Sequence, residues 1–513
     1  MLAKTYSASV VGLDANTIEI EVNATNKGDD RFMQIVGLPD TAVRESKQRV
    51  TSAIFSSGFY PPAGLTIINL APADLKKEGS AFDLPIALGV LASDGGVSRE
   101  SLEQIMTIGE LGLDGTIRPI KGALPIALHA RKQHGIKALL VPRINAEEAA
   151  IGAGDLHIYP VDTLKDAVEF INKQKPKTRV VAHFDSLEEP LDSVLDFADV
   201  KGQILAKRAL EVAAAGGHHC MLVGPPGTGK SMLAQRLPSI LPPMNEMETL
   251  ETSKIHSILG FLTNANGLIS RRPFRAPHHS ISDAGLIGGG HNIPRPGEIS
   301  LAHNGILFLD EMPEFKRSVL EVLRQPLESG EVTISRASGS FTYPSRFILI
   351  SAMNPCPCGH YGSHQRDCRC SHTQVQRYRS KISGPLLDRI DIHIELGALS
   401  EEELICKGTG ENSADIRKRV IHARAVQIQR FGENGIYCNS QMNSRQLQEF
   451  CELDKDSETL LRHSIRELKL SARAYDRILR VARTVADLDE SDRVTSEHIC
   501  EAVQYRTLDK QQW

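Results

Sequence analysis

Gly224-Pro225-Pro226-Gly227-Thr228-Gly229-Lys230-Ser231 matches the pattern G-x-x-x-x-G-K-[ST] at every fixed position, and the sequence on either side suits the loop that such a pattern needs. The apolar run Cys220-Met221-Leu222-Val223 leads in as a buried strand. Met232-Leu233-Ala234-Gln235-Arg236-Leu237 continues as helix, with Pro238 expected to stop it. Strand, glycine loop and helix in that order make a phosphate cradle. Glycines let backbone N–H groups close around oxygens, and the helix N-terminus adds partial positive charge. Lys230 is placed to reach the β and γ phosphates, and Ser231 to offer a hydroxyl to Mg2+. The stretch therefore predicts ATP and Mg2+ as ligands on an α/β scaffold, with residues 224 to 231 as the contact set.

Downstream, Gly305-Ile306-Leu307-Phe308-Leu309 reads as a buried parallel strand that ends on Asp310-Glu311. The C-terminal ends of such strands are where ligands sit, so Asp310 suits the Mg2+ shell and Glu311 the attacking water. A carboxylate pair opening a helix is the plainer alternative. Arg346 to Met353 is a second buried-strand pattern and ends on Asn354, an amide suited to bridge water and γ-phosphate, or simply a turn residue. In Leu386-Leu387-Asp388-Arg389-Ile390-Asp391 one guanidinium lies among apolar residues, either held rigidly for a phosphate or paired with Asp388 or Asp391.

Around this centre the chain divides into three parts. Residues 1–171 mix strand alternation (Thr17 to Val22), buried-strand runs (Thr66 to Leu70, Ala138 to Pro142) and helical spacing (Thr41 to Phe55), hence an α/β domain. Residues 172–199 turn basic at Asn172 to Lys177 and acidic at Ser186 to Pro190, as a linker does. Residues 200–396 alternate strand and helix signals around a parallel sheet. Residues 397–513 carry helical spacing at Ala414 to Phe431, Ser457 to Leu468, Ala472 to Leu488 and Ser496 to Tyr505, hence a helical bundle. The net charge of −4 gives no global pull on nucleic acid, so any such contact must be local. No apolar run reaches the ~18 residues of a membrane span, and nine cysteines without an export signal read as the reduced thiols of a cytoplasmic protein.

The order of the motifs resembles that of AAA+ ATPases. The strings Phe274-Arg275-Ala276-Pro277-His278-His279-Ser280, Gly288-Gly289-Gly290, Asn354-Pro355-Cys356-Pro357-Cys358-Gly359 and Leu387-Asp388-Arg389 are similar to those of the magnesium-chelatase-like branch and, within it, the bacterial ComM/YifB family. The resemblance covers nearly the whole chain. It implies that Asn354 is the sensor-1 residue, Arg389 an arginine finger given to a neighbouring subunit, and Arg473 the sensor-2 arginine. It also implies a homo-oligomeric ring, a hexamer, since a finger given in trans needs a partner.

By the same resemblance, Arg271-Arg272-Pro273-Phe274-Arg275, with His278-His279, the flexible glycines 288–290 and Arg295, forms an insert facing the ring channel. A hairpin over Glu331 to Tyr343, turning at Ala337-Ser338-Gly339-Ser340, is the second channel element. Both are expected to contact DNA, branched or single-stranded; a solvated surface insertion is the alternative for the first. Cys356, Cys358, Cys368 and Cys370, with His360, His364 and His372 nearby, are a candidate Zn2+ set, the alternative being reduced loop thiols.

Glu78-Gly79-Ser80-Ala81-Phe82-Asp83 and Gly112 to Ile120 look like the Lon-protease-like α/β fold. Ser80 falls near that family's nucleophile, but the base lysine would fall at Leu124, and Lys121 is out of register. The domain is therefore expected to be a scaffold or DNA platform. The implied function is an ATP-driven ring motor on DNA, a branch-migration helicase of homologous recombination in natural transformation. An ATP-dependent Lon-like protease and a chelatase-type protein-remodelling ATPase are the alternatives.

Overall fold

The computed structural model describes residues 2–25, 31–75, 77, 79–181, 195–262, 267–290, 293–336, 339–362, 366–398, 410–432, 435–468 and 470–506. Glu78, the acidic stretch 186–190, the hairpin residues Ala337 and Ser338, and His364 lie outside them. The chain forms two compact units, residues 1–188 with 246–269, and residues 189–245 with 270–513.

In the first unit, strand Asp14–Ala24 pairs antiparallel with Leu2–Val11 on one side and Gly64–Ala71 on the other. The seven-stranded sheet runs Arg31–Val36, Gly64–Ala71, Asp14–Ala24, Leu2–Val11, Ile105–Thr107, Ala138–Pro142, His157–Val161. Alternation along Asp14–Ala24 buries Ile18, Ile20 and Val22 on one face, where helix Asp83–Ser93 packs with every residue buried. Each such aliphatic side chain contributes about 2 kcal/mol of burial, which is why the period-2 pattern fixes this register.

Helix Glu246–Leu259, inside the 200–396 span expected to form the central domain, packs in this first unit. Its Ser257 hydroxyl donates to Glu148 at 2.5 Å, its Ser257 carbonyl accepts from Gly122 N–H at 3.1 Å, and Lys254 lies 3.4 Å from Asp14. The buried face of this helix is mostly polar, with Glu248, Thr249, Thr252, Ser253, His256 and Ser257 around Ile255. Hydrophobic periodicity therefore does not announce it.

The second unit is built on a five-stranded sheet in the order Phe274–Arg275, Ile306–Leu309, Ile348–Met353, Cys220–Val223, Ile392–Glu395, every neighbour parallel. Strands 306–309 and 220–223 are buried at every residue, as continuous apolar runs in a doubly covered sheet should be. Helix Lys230–Ile240 follows the phosphate loop and carries Pro238 inside it. Pro238 thus does not stop the helix where the sequence suggested. It falls in the last turn, so the bond it cannot donate to the Ala234 carbonyl is lost near the helix end and only two residues continue the helix beyond it.

Helices Ser413–Phe431, Lys455–Leu468, Ala472–Leu488 and Ser496–Gln504 complete the unit. Ile478, Val481, Ala482 and Val485 of the third share one apolar core with Ile350 and Ile392 of the sheet. No helix among the described residues is long and apolar enough to cross a membrane.

Candidate nucleotide site and thiol cluster

Three neighbouring parallel strands deliver the site. Val223 runs into the phosphate loop, Leu309 into Asp310-Glu311 and Met353 into Asn354, all at carboxyl ends of the sheet. Gly227 and Gly229 have φ of +83° and +88°, a left-handed backbone that favours glycine, and a Cβ at either would meet nothing within 4 Å. The lip of the loop is therefore open, with room for phosphate oxygens beside its N–H groups.

Lys230 crosses beneath this lip. Its Nζ donates to the Gly224 and Pro225 carbonyls at 2.7 and 2.8 Å and to Asn354 Oδ1 at 3.2 Å. Burial pulls the Lys230 ammonium below the usual lysine range, opposed by the Asp310 and Glu311 carboxylates. Ser231 Oγ donates to Asp310 Oδ2 at 2.7 Å, so one hydroxyl and one carboxylate converge where a hard cation with oxygen ligands would sit. Thr228 Oγ1 closes the loop on the Pro225 carbonyl at 2.9 Å. These residues fit Mg2+ and a nucleoside triphosphate; the ion supplies charge neutralisation between phosphate oxygens when bound.

Glu311 adopts φ +50°, uncommon outside glycine, and its side chain is 57% exposed. Strain of roughly 1–3 kcal/mol at such a residue is typical of a functional position. Two neighbours of this site escaped the sequence reading. His279 Nδ1 lies 3.9 Å from Glu311 Oε2, although His279 was assigned to the channel insert. Gln203, itself at φ +53°, donates from Nε2 to Gly397 O at 2.9 Å and Thr228 O at 3.4 Å, tying the loop to the segment after the last strand. The string in which His279 stands was already a family signature; nothing in sequence marks Gln203.

Arg389 has none of these partners. It is 5% exposed, pairs with Glu328 and donates from Nη1 to the Pro385 carbonyl at 2.5 Å, while its Nε finds no partner. Burial holds its guanidinium below the usual arginine range, with the Arg324, Arg473 and Arg477 charges adding to the effect and Glu328 opposing it. Arg473, exposed in the first turn of helix Ala472–Leu488, thus stands with Arg389. A groove of about 460 Å3, lined in part by Arg324, Glu328, Thr333 and Arg389, opens beside them.

Behind Arg389 lies a buried polar network. Arg477 pairs with Asp391 and donates to the Arg389 carbonyl at 2.8 Å. Arg506 donates to the Ile390 carbonyl, and His218 joins Asp391 (3.5 Å) to Thr484 (2.8 Å). Burial alone would raise the Asp391 carboxyl, but the Arg477 guanidinium holds it well below the usual carboxylate range. Asp391 therefore pairs with Arg477, and Arg389 with Glu328.

The expected channel elements are partly redrawn. Arg271 to Arg275 is not a free basic loop. Phe274–Arg275 is the edge strand of the sheet, Phe274 stacks on Phe308 at 6.0 Å, Arg275 is bidentate to Glu298 at 2.6 and 2.7 Å, and Arg272 donates to the Pro242, Pro243 and Asn304 carbonyls. Nor is 288–290 a loose glycine run, because Gly288–Gly289 pairs antiparallel with Arg295–Pro296. The hairpin pairs Glu331–Arg336 with Gly339–Pro344, so Gly339 and Ser340, expected in the turn, belong to the second strand. It packs on that ribbon: Tyr343 OH donates to Pro294 O, and a Cβ on Gly288 would meet Ile334 at 2.9 Å. Arg295 and Arg336 are its exposed cations.

Directly after Asn354 comes the thiol cluster. The sulfurs of Cys356, Cys358, Cys368 and Cys370 all lie within 4.8 Å of one another, with 3.4, 3.6 and 3.7 Å among the first three. Backbone N–H groups of His360 and Arg369 donate to Cys358, holding its thiol down at about 6.

In the first unit, Ser80 donates to Glu110 rather than meeting a lysine. Leu124 is fully buried, with its N–H on Glu148, and Lys77 is buried against the Pro72 carbonyl. The serine faces an acceptor that cannot serve as an ammonium-derived base.

Comparison with known proteins places this geometry. Family models for the magnesium chelatase ChlI subunit match residues 196–404 and 20–145, and the model for its C-terminal part matches 410–506. Competence protein ComM of Haemophilus influenzae is 43% identical, covering 99% of this chain and 98% of its own. YifB of Escherichia coli is 42% identical over the same shares. The magnesium-chelatase 38 kDa subunit of Rhodobacter capsulatus is 26% identical over 32% of this chain and 51% of its own length.

Proposed function

This chain belongs to the ComM/YifB family of magnesium-chelatase-like AAA+ ATPases, and on that premise we propose that it is a cytoplasmic, ATP-driven ring motor acting on branched or single-stranded DNA, a branch-migration helicase of recombination during natural transformation. In this reading Lys230, Ser231 and Asp310 hold ATP and Mg2+, Glu311 orients the attacking water, and Asn354 senses the γ-phosphate. Arg389 completes the site of the next subunit in a hexamer, and Arg473 is the sensor-2 arginine. The cysteines 356, 358, 368 and 370 hold Zn2+.

The observation that carries the ring is the position of Arg389. Its guanidinium lines a groove and bonds Glu328 rather than Lys230, Asp310 or Glu311 of its own chain, so in this reading the Glu328 pair holds it in store and releases it to a partner. The end-to-end match to a competence protein, at 43% identity against 26% over a third of this chain for a chelatase subunit, supports a role in competence. The ribbon-supported hairpin with Arg295 and Arg336 offers a local cationic surface on a chain of net charge −4, as backbone gripping requires. The Ser80 to Glu110 bond speaks against a Ser–Lys protease.

The test is incubation of the purified chain with a labelled four-way junction, ATP and Mg2+. ATP-dependent conversion to duplex arms, abolished by Lys230→Ala, is expected. Brisk ATP hydrolysis that neither responds to DNA nor processes the junction would sink the DNA motor and leave an ATPase.

A further inference from the structure

Four sulfurs around one tetrahedral ion at ~2.3 Å would stand about 3.8 Å apart, the edge of that tetrahedron. The observed separations of 3.4 to 3.7 Å fall close to this edge and far from the ~2.05 Å of a disulfide. Two peptide N–H groups also point at sulfur, Tyr361 to Cys356 at 3.3 Å and Cys370 to Cys368 at 3.4 Å, as suits ligands that carry negative charge. An all-thiolate tetrahedron selects zinc over the oxygen-seeking Mg2+ of the nucleotide site.

The cluster is not a remote staple. Cys356 is fully buried two residues beyond Asn354, which bonds Lys230. Gly359, at φ +83°, lies so close to the phosphate loop that a Cβ there would stand 2.6 Å from Pro226 Cδ. Arg379 holds the same loop, donating to the Pro355 carbonyl at 3.1 Å and lying 5.1 Å over the Tyr361 ring. Between Cys358 and Cys368 the chain runs through glycines, histidines and polar residues with little to bury, so a metal is what would bring these two pairs of thiols together.

We infer that Cys356, Cys358, Cys368 and Cys370 hold one Zn2+ and that this ion fixes Asn354 and Pro226 over the triphosphate, so that ATP turnover depends on the metal. The inference rests on the proposed ATPase site and is independent of whether DNA is the track. Loss of the ion frees the loop that spans Asn354 to Cys370. Lys230 and Asp310, held by other bonds, stay in place, so nucleotide binding persists while turnover falls.

The experiment uses the full chain purified without a histidine tag. Metal analysis is expected to give one zinc per chain, and iron at that level or no bound metal overturns the site. Chelation, or the double variant Cys368→Ser with Cys370→Ser, is expected to release zinc and to lower kcat on the order of tenfold to a hundredfold. Fluorescent-nucleotide affinity and far-UV circular dichroism should stay near wild type, and ZnCl2 should restore the chelated sample. Zinc loss without a fall in kcat overturns the coupling. So does a Gly359→Ala variant that keeps both its zinc and wild-type turnover. Cys500→Ser, at an exposed thiol outside the cluster, is the control. Wild-type turnover, present or absent, tests the ATPase reading separately.

Discussion

On the phosphate-loop side of the second unit each functional group leaves the end of a parallel strand, and its partners are other strand ends: Lys230 on Asn354, Ser231 on Asp310. On the arginine side Arg389 leaves a short turn and is steadied by Arg477 and Arg506, residues some ninety and more positions later in the chain. The first side is rigid because a buried sheet makes it so. The second depends on the C-terminal helices, so a change in those helices reaches Arg389 through one carbonyl and one carboxylate. Hydrolysis and its control are thus built on differently stiff supports.

The largest test of this contrast removes the proposed finger. Arg389→Ala should lower ATP turnover on the order of a thousandfold, the scale of an arginine finger, while leaving nucleotide binding intact. Mixing it with Lys230→Ala should restore part of the rate, because in the proposed ring one subunit would supply the loop and the other the guanidinium. No recovery in an ATPase assay of mixed rings breaks the picture of a shared site.

Arg477→Met should act more gently on chemistry and more strongly on the fold. It frees the Arg389 carbonyl and leaves the buried Asp391 carboxylate without its guanidinium, with only the His218 ring and the His219 N–H beside it, a loss of up to about 3–5 kcal/mol. The expected outcome is a kcat roughly a tenth of wild type, unchanged nucleotide affinity and a lower melting temperature. An unaltered kcat at a temperature where the variant is folded would separate the helices from the finger.

The smallest effect is a pH slope. Burial pushes His219 down to about 4 from its ordinary 6.5, and its Nδ1 accepts the Leu349 N–H at 3.0 Å, so the folded ring is neutral. The unfolded chain takes up the proton first as pH falls. This contribution is therefore complete above about pH 6.5 and declines through the window down to about 4, at roughly 1.4 kcal/mol per pH unit. His219→Gln, whose amide oxygen can still accept from Leu349, should flatten the melting curve against pH across that window.

The two sides also differ in how well they read from sequence. Apolar runs ending on polar residues give the strands 220–223, 306–309 and 348–353 and the positions of Lys230, Asp310, Glu311 and Asn354 directly, because a buried strand and its end leave few choices of residue. The bundle helices were legible from spacing, and Ala472–Leu488 was read at its observed bounds. What escaped needs long-range pairing. Arg275 reads as a free cation until Glu298 is seen to take it, and nothing in the spacing of Arg477 points to its partner Asp391. Pro238 misled by only two residues, because the helix ends at Ile240, within a turn of the proline rather than at it. Helix Glu246–Leu259 gives no sign in sequence of its place in the first unit, because its buried face is polar.

That last helix has a practical corollary. The polypeptide enters the first unit, leaves it, and returns for residues 246–269 before leaving again, so the two units share three covalent passages. A protease that cuts once between residues 182 and 194 would not release an N-terminal fragment, since Ser257 and Lys254 would still clasp Glu148 and Asp14 from the other side of the nick. Truncation at that point would strip a helix of its partners rather than free a domain, and shortened chains intended to carry the ATPase alone should begin by replacing 246–269 with a short polar bridge.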